Sequence, residues 1–169
     1  RSYHQLGTVA SEQYHFEAAE EWYLRAADIF ERLHDEHQVA STYHELGTVA
    51  YDVEAAEKWY RRSLEISEKL NDLKGAARSY HQLGIVAYVQ RDLEAAQKWC
   101  RCSLGIMEKL GDEAAVASSY NELGVVAQEK GDLASAREWY RQSLEIGEKL
   151  GDNHGVAVTC AQLGQLQKV

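Results

Sequence analysis

One nine-residue stretch keeps returning along this chain, and its return limits the folds open to it. SYHQLGTVA from Ser2 reappears as TYHELGTVA from Thr42, SYHQLGIVA from Ser79 and SYNELGVVA from Ser119, with a worn copy, TCAQLGQLQ, from Thr159. The glycines Gly7, Gly47, Gly84, Gly124 and Gly164 hold the register, at spacings of 40, 37, 40 and 40 residues. A second block alternates with the first: FEAAEEWYLRAADIFERL, VEAAEKWYRRSLEISEKL, LEAAQKWCRCSLGIMEKL and LASAREWYRQSLEIGEKL. Self-similarity at this period marks stacked units, each too small to bury its apolar face alone. It argues against a single irregular globule.

Both blocks read as helices. In the fourth copy Tyr120, Leu123, Gly124 and Ala127 fall on one helical stripe, as do Leu133, Ala136, Tyr140, Leu144 and Ile146 in the block that follows. The chain has no proline, so glycine must supply the punctuation. Gly111 and Gly151, with Asn71 in the same place, suit the left-handed residue beyond a helix end. Asp72, Asp112 and Asp152 follow as N-caps, and Asp92 and Asp132 open the second helices. Helices of about 16–18 residues, roughly 25 Å long, result. Glu57–Arg61, Glu65–Lys69, Glu94–Lys98 and Glu145–Lys149 are spaced for pairing along one helix face. Gly7, Gly47, Gly84 and Gly124 sit in mid-helix, where glycine costs about 1 kcal/mol against alanine. Their recurrence predicts close approach of the paired helix, with Ala19, Ala56, Ala96 and Ala136 on the facing side.

These residues resemble the tetratricopeptide repeat family. The aromatic–x–x–Leu–Gly–x–x–Ala run of each first helix matches its signature. So does the small–aromatic–small pattern of each second helix, such as Ala136, Tyr140 and Ser143. The resemblance covers essentially the whole chain. It implies an all-α, right-handed α-solenoid of antiparallel helix hairpins, one array of about four and a half repeats. The repeats span 1–34, 35–71, 72–111 and 112–151, with a lone first helix over 152–169. The sequence departs from the family where a proline closes the second helix: Glu31, Glu68, Glu108 and Glu148 stand there and the helix runs on, as in the 40-residue variety of bacterial sensor and regulator arrays and Pins-type polarity adaptors. Cys100 and Cys160 replace aromatics, which predicts looser packing. The second copy is three residues short near Ala50. Either a helix loses most of a turn, the turn before Asp52 tightens, or residues are missing from the sequence as it stands.

Charge and composition narrow the function. A net charge of −9 and a pI near 5.2 oppose a nucleic-acid groove and docking on anionic lipid. No apolar run approaches the ~20 residues of a membrane span. Cys100, Cys102 and Cys160 have no metal or redox spacing and read as reduced packing residues, pointing to a cytoplasmic protein. The chain opens on Arg1, which suggests an excised piece of a larger regulator. No catalytic set recurs and no phosphate loop follows a strand; LGDNHG from Leu150 is an inter-helix turn. No cofactor is implied.

The resemblance puts the first helices on a concave face. The candidate partner-binding residues are then His4, Thr8, His44, Glu45, Thr48, Tyr51, Arg78, His81, Gln82, Tyr88, Asn121, Glu122 and Gln128. Imidazole, amide and phenol groups can meet a peptide backbone without demanding one charge sign. A protein or peptide partner follows. A structural array associating end to end, with Leu163 and Leu166 at an exposed end, and a receptor for a small signalling peptide or metabolite are the alternatives. The family's carboxylate clamp does not fit, since its places hold His4, Thr8, Glu45, Arg78 and Gln82, with only Arg78 cationic. The histidine column cannot gather on one metal across helices ~10 Å apart. His34 and His37 could share a helix face, but no third ligand accompanies them. Trp22, Trp59, Trp99 and Trp139 are read as packing against the extended end of a neighbouring helix.

Overall fold

Each inter-hairpin aspartate does two jobs at once. The backbone N–H groups of Asp35, Asp72, Asp112 and Asp152 close the preceding helix by donating to Phe30, Ser67, Met107 and Gly147 carbonyls at 2.8–3.1 Å. Their carboxylates then cap the next helix, accepting from the backbone N–H groups of Gln38, Gly75, Ala115 and Gly155. The reversal needs a left-handed residue just before the aspartate: Asn71, Gly111 and Gly151, as expected, and also His34 at φ 55°. His34 is therefore a turn residue and does not share a helix face with His37.

The structure is a computed structural model that describes residues 2–166. It contains α1 (Tyr3–Glu12), α2 (Phe16–Arg32), α3 (Glu36–Val49), α4 (Val53–Lys69), α5 (Leu73–Val89), α6 (Leu93–Leu110), α7 (Glu113–Glu129), α8 (Leu133–Leu150) and α9 (Asn153–Leu166), with no strand among the described residues. The fold is an all-α repeat solenoid. Two compact units divide the chain, Arg1–Gln90 with α1–α5 and Arg91–Val169 with α6–α9. The lone helix expected over 152–169 is α9, and residues 167–169 lie outside the described residues.

The short second copy is explained by its first helix. α3 has 14 residues where α5 and α7 have 17. The missing turn comes off its C-terminus, and Ala50 leaves it in an extended conformation (φ −59°, ψ 139°) with no left-handed residue. The corresponding turns elsewhere use Tyr14, Arg91 and Gly131 at positive φ. Tyr51 consequently stands 97% exposed at the α3–α4 corner.

Gly7, Gly47 and Gly124 do meet the paired helix, and the nearest atoms there belong to tyrosines rather than to the expected alanines. A methyl group on Gly7, Gly47 or Gly124 would lie 2.5–2.6 Å from the ring of Tyr23, Tyr60 or Tyr140. Each ring presses directly on the first-helix backbone and sets the helix separation. Ala19 and Ala136 are fully buried beside these contacts, in cores containing Ala10 and Ala127. Among the described residues nothing lies within 4 Å of the same place on Gly164. Leu166 is 4% exposed and packs with Ala136 and Tyr140, while Leu163 leans on the same cluster. The apolar end expected there is turned inward onto α8.

The aromatic ladder is also more local than expected. Trp22 stacks on Tyr3 and Trp139 on Tyr120, each at 5.6 Å between ring centroids, and Trp59 meets Tyr43 at 5.1 Å. The partner is the first helix of the same hairpin, not a neighbour's extended end. The hydroxyls of Tyr43, Tyr80 and Tyr120 reach back to Glu31, Glu68 and Glu108, the glutamates that replace the family's proline. Of the pairs expected along single helices, Glu57–Arg61 forms at 2.7 Å. Lys69, Lys149 and Glu94 instead pair across helices with Glu36, Glu113 and Lys130. The first two close the open ends of the α3–α4 and α7–α8 hairpins, where an antiparallel pair brings opposite termini together. All are exposed, so each contributes at most about 1 kcal/mol.

The glycine–tyrosine contact predicts opposite outcomes for one substitution. Gly124→Ala drives a methyl group into the fully buried Tyr140 ring and should cost about 1–3 kcal/mol. Gly164→Ala meets open space and should gain up to about 1 kcal/mol from helix propensity. Urea unfolding that shifts both variants in the same direction would contradict this account.

Candidate binding grooves

Where two successive first helices lie over the second helix between them, each unit forms a groove, and the same nine repeat positions line both. In the first unit α3 contributes His37, Ala40, Ser41 and His44, α4 supplies Ser63 and Ser67, and α5 with its cap supplies Asp72, Gly75 and Arg78. In the second unit the corresponding residues of α7, α8 and α9 are Ala114, Ala117, Ser118, Asn121, Ser143, Gly147, Asp152, Gly155 and Val158. The two-hydroxyl floor repeats as well. Ser79 donates to Ser63 at 3.1 Å, and Ser143 meets Thr159 at 3.4 Å. Ser63 also donates to the Ala40 carbonyl at 2.8 Å, holding the floor against α3.

What differs is the wall chemistry. Ser67, His44, Arg78 and His37 make the first groove polar and narrow, a cavity of about 50 Å³. Gly147, Asn121, Val158 and Ala114 open the second to about 600 Å³ with a mainly apolar lining. Asn121 donates to Thr159 at 3.1 Å, tying α7 to α9 across the floor.

Of the residues singled out from the sequence, His44, Arg78 and Asn121 line these grooves. Thr8, Thr48 and Gln128 turn inward instead and meet the hydroxyls of Tyr23, Tyr60 and Tyr140 at 3.1–3.3 Å. They are tied to the rings that space the helices. His4 packs edge-on against Tyr23. Glu45 lies 3.5 Å from Arg78 across α3 and α5, and Glu122 approaches the Cys100 thiol at 3.9 Å. His81, Gln82 and Tyr88 are half-buried and Tyr51 is exposed at its corner. Sequence reasoning missed Ser41, Ser67, Gly75 and their counterparts. Their signal was variation inside a copied block: Phe30, Ser67, Met107 and Gly147 share one position of the second helix.

Burial governs the titratable groups. His44 is 8% exposed, and loss of hydration, with Arg78 and His81 nearby, lowers its pKa to about 4. It is a neutral imidazole at physiological pH. Burial and the Glu122 carboxylate push the Cys100 thiol up to about 12, which leaves it protonated and unreactive. Cys100, Cys102 and Cys160 are free thiols. Among the described residues no group of three or more His, Cys, Asp or Glu side chains is placed to hold a metal ion, and no helix is long and apolar enough to cross a membrane.

The His44 shift has a definite sign. Above pH 6.5 neither the folded nor the unfolded state protonates it, and its packing contribution is complete. Between pH 6.5 and about 4 only the unfolded state takes up the proton, so stability falls as pH falls. The loss is on the order of 3 kcal/mol. His44→Asn, which installs the residue found at Asn121, should remove this component. Urea titrations at pH 7 and pH 4 should show a smaller stability loss for the variant; equal losses would refute the assignment.

Comparison with known proteins agrees with this architecture. None of the curated proteins is significantly similar in sequence. The crystal structure of BtubC (BKLC) from P. vanneervenii superimposes with a TM-score of 0.82 at 24% identity, over 90% of this chain and 64% of that one. The apo form of RapI gives 0.91 at 19% identity, over 98% and 62%. A Rap protein complexed with Competence and Sporulation Factor gives 0.77 at 17%, over 97% and 47%. The chain thus spans less than two thirds of each of these structures, and at these identities the likeness is one of fold. The tetratricopeptide repeat family matches residues 1–69, 75–149 and 115–168. Together with the repeated glycine–tyrosine hairpins, this places the chain in the tetratricopeptide repeat family.

Proposed function

We propose that this chain is a non-catalytic protein-interaction scaffold whose inter-helix grooves receive side chains of a bound peptide or protein segment. One observation carries the reading: nine equivalent positions build a groove in each unit, and their divergence is concentrated in the walls. Ala40 and Ala117, Ser41 and Ser118, Ser63 and Ser143, Asp72 and Asp152, and Gly75 and Gly155 keep the frame. The pairs His44/Asn121, Ser67/Gly147, Arg78/Val158 and His37/Ala114 change polarity and size. A frame kept while its lining varies is what selective recognition requires. A fold neighbour, a Rap protein, was solved complexed with Competence and Sporulation Factor, which is in keeping with an architecture that holds a bound partner.

The chemistry of the grooves agrees with binding without catalysis. His44 in the first groove is uncharged with Arg78 beside it, and the buried Cys100 thiol, which lines neither groove, is protonated. A cytoplasmic place within a larger regulator, with the chain as one continuous array, belongs to the same proposal. End-to-end assembly is the alternative reading; of the two leucines it places at an exposed end, Leu166 packs against α8 and Leu163 is half-buried.

The test blocks each groove separately. Peptides selected by display against the intact chain should lose at least tenfold affinity, by titration calorimetry, when Ser41→Arg or Ser118→Arg fills the groove they use. Arg78 occupies the same column, so the fold accepts arginine there. Selected peptides that bind both variants as tightly as the parent, or failure to select any peptide, would overturn the proposal.

A further inference from the structure

The first-unit cavity has a feature that its larger counterpart does not share. Two of its wall residues present buried polar atoms with no hydrogen-bond partner: Ser67 Oγ, on a residue 1% exposed, and His44 Nδ1, on a residue 8% exposed. Leaving a hydroxyl and a ring nitrogen unpaired in the interior is destabilising, and native proteins seldom do so without a reason. Both residues line one space of about 50 Å³, room for a few heavy atoms but not for a ring.

Glycine keeps that space open. A methyl group on Gly75 would lie 2.7 Å from Ser67 Oγ and 2.5 Å from Asp72 Oδ2, inside the cavity wall. The backbone does not require glycine at this position of the helix. Ala115 stands in the same place after Asp112, and its N–H is capped at 3.1 Å just as that of Gly75 is by Asp72 at 3.0 Å.

The charges on the lining select the kind of group that fits. Arg78 brings one cation and Asp72 one anion, and the His44 imidazole is neutral. Their sum favours neither a carboxylate nor an ammonium. The hydroxyl can donate and accept, the guanidinium donates and the carboxylate accepts. A small, neutral group with both an acceptor oxygen and N–H donors meets all of these needs.

We propose that the α3–α5 cavity seats a carboxamide, the end group of an asparagine or glutamine side chain of the bound peptide, with Ser67 Oγ and His44 Nδ1 as hydrogen-bonding partners. The inference rests on the peptide-groove reading above and names the side chain that the first groove takes.

The probe is acetamide, with acetate as the charged counterpart, titrated into the intact chain while the His44 ring and Gly75 amide resonances are followed by NMR. Acetamide should shift both saturably. Acetate at the same concentration should not. Ser67→Ala, at a position that holds Phe30, Met107 and Gly147 in the other second helices, should weaken acetamide binding at least fivefold, and Gly75→Ala should abolish it. No acetamide shift, equal response to acetate, or unchanged binding in both variants would overturn the proposal. Because the probe needs no peptide, its failure leaves the groove reading standing. Loss of peptide capture with acetamide still bound would remove that reading alone.

Discussion

A tyrosine ring pressed onto bare helix backbone spaces the hairpins for which the contact is resolved. Tyr23, Tyr60 and Tyr140 occupy the volume that a side chain on Gly7, Gly47 or Gly124 would need. The energetic logic is a trade within one contact. Glycine gives up about 1 kcal/mol of helix propensity, and a buried aromatic ring recovers more through area removed from water. The same ring carries its hydroxyl on to Thr8, Thr48 or Gln128, so a polar atom that would otherwise be stranded is satisfied at the far edge of the contact. Helix spacing within each hairpin and first-helix side-chain direction follow from where that ring sits.

Between hairpins a different pair of groups takes over. The glutamate in the family's proline position lets the second helix continue, and the following tyrosine donates its hydroxyl to it, as Tyr43 does to Glu31 and Tyr120 to Glu108. Burial, then the carboxylate, pushes the Tyr43 phenol up to about 12, so the donor keeps its proton throughout the physiological range. Where Cys160 stands in the tyrosine's place, this contact has no donor of the same reach. The tryptophan stacked beneath the tyrosine completes the joint, with Arg25 over Trp22 and Arg62 over Trp59 at 4.9 and 5.1 Å.

Most of the fold was legible because it is written in local signals repeated in phase. The Asp caps and the left-handed residues at Asn71, Gly111 and Gly151 each report a backbone requirement that does not depend on tertiary context, and the glycine register shows itself by recurrence alone. His34 escaped notice because histidine rarely marks a left-handed turn. The partners of Lys69 and Lys149 escaped because a helix-local rule competes poorly with the opposite charge at the far end of an antiparallel hairpin. The glycine contacts were assigned to alanine because small residues suggest backbone-to-backbone approach, whereas an aromatic ring reaches the same spot from one turn away. Site residues were the least legible. Columns such as Thr8 and Thr48 look exposed on a helical wheel, yet they lean inward to a tyrosine. Ser67 and Gly147 were hidden in a block whose other positions hardly change.

The paired grooves have a consequence for how such a chain diversifies. Duplication delivers a finished frame, with caps, hydroxyl floor and ring spacers already in place. A change such as serine to glycine, or arginine to valine, in one wall then alters one compartment while the neighbouring hairpins keep their contacts. Recognition in this architecture can drift compartment by compartment, each a separate letter in a longer word, without renegotiating the fold that holds the letters in order.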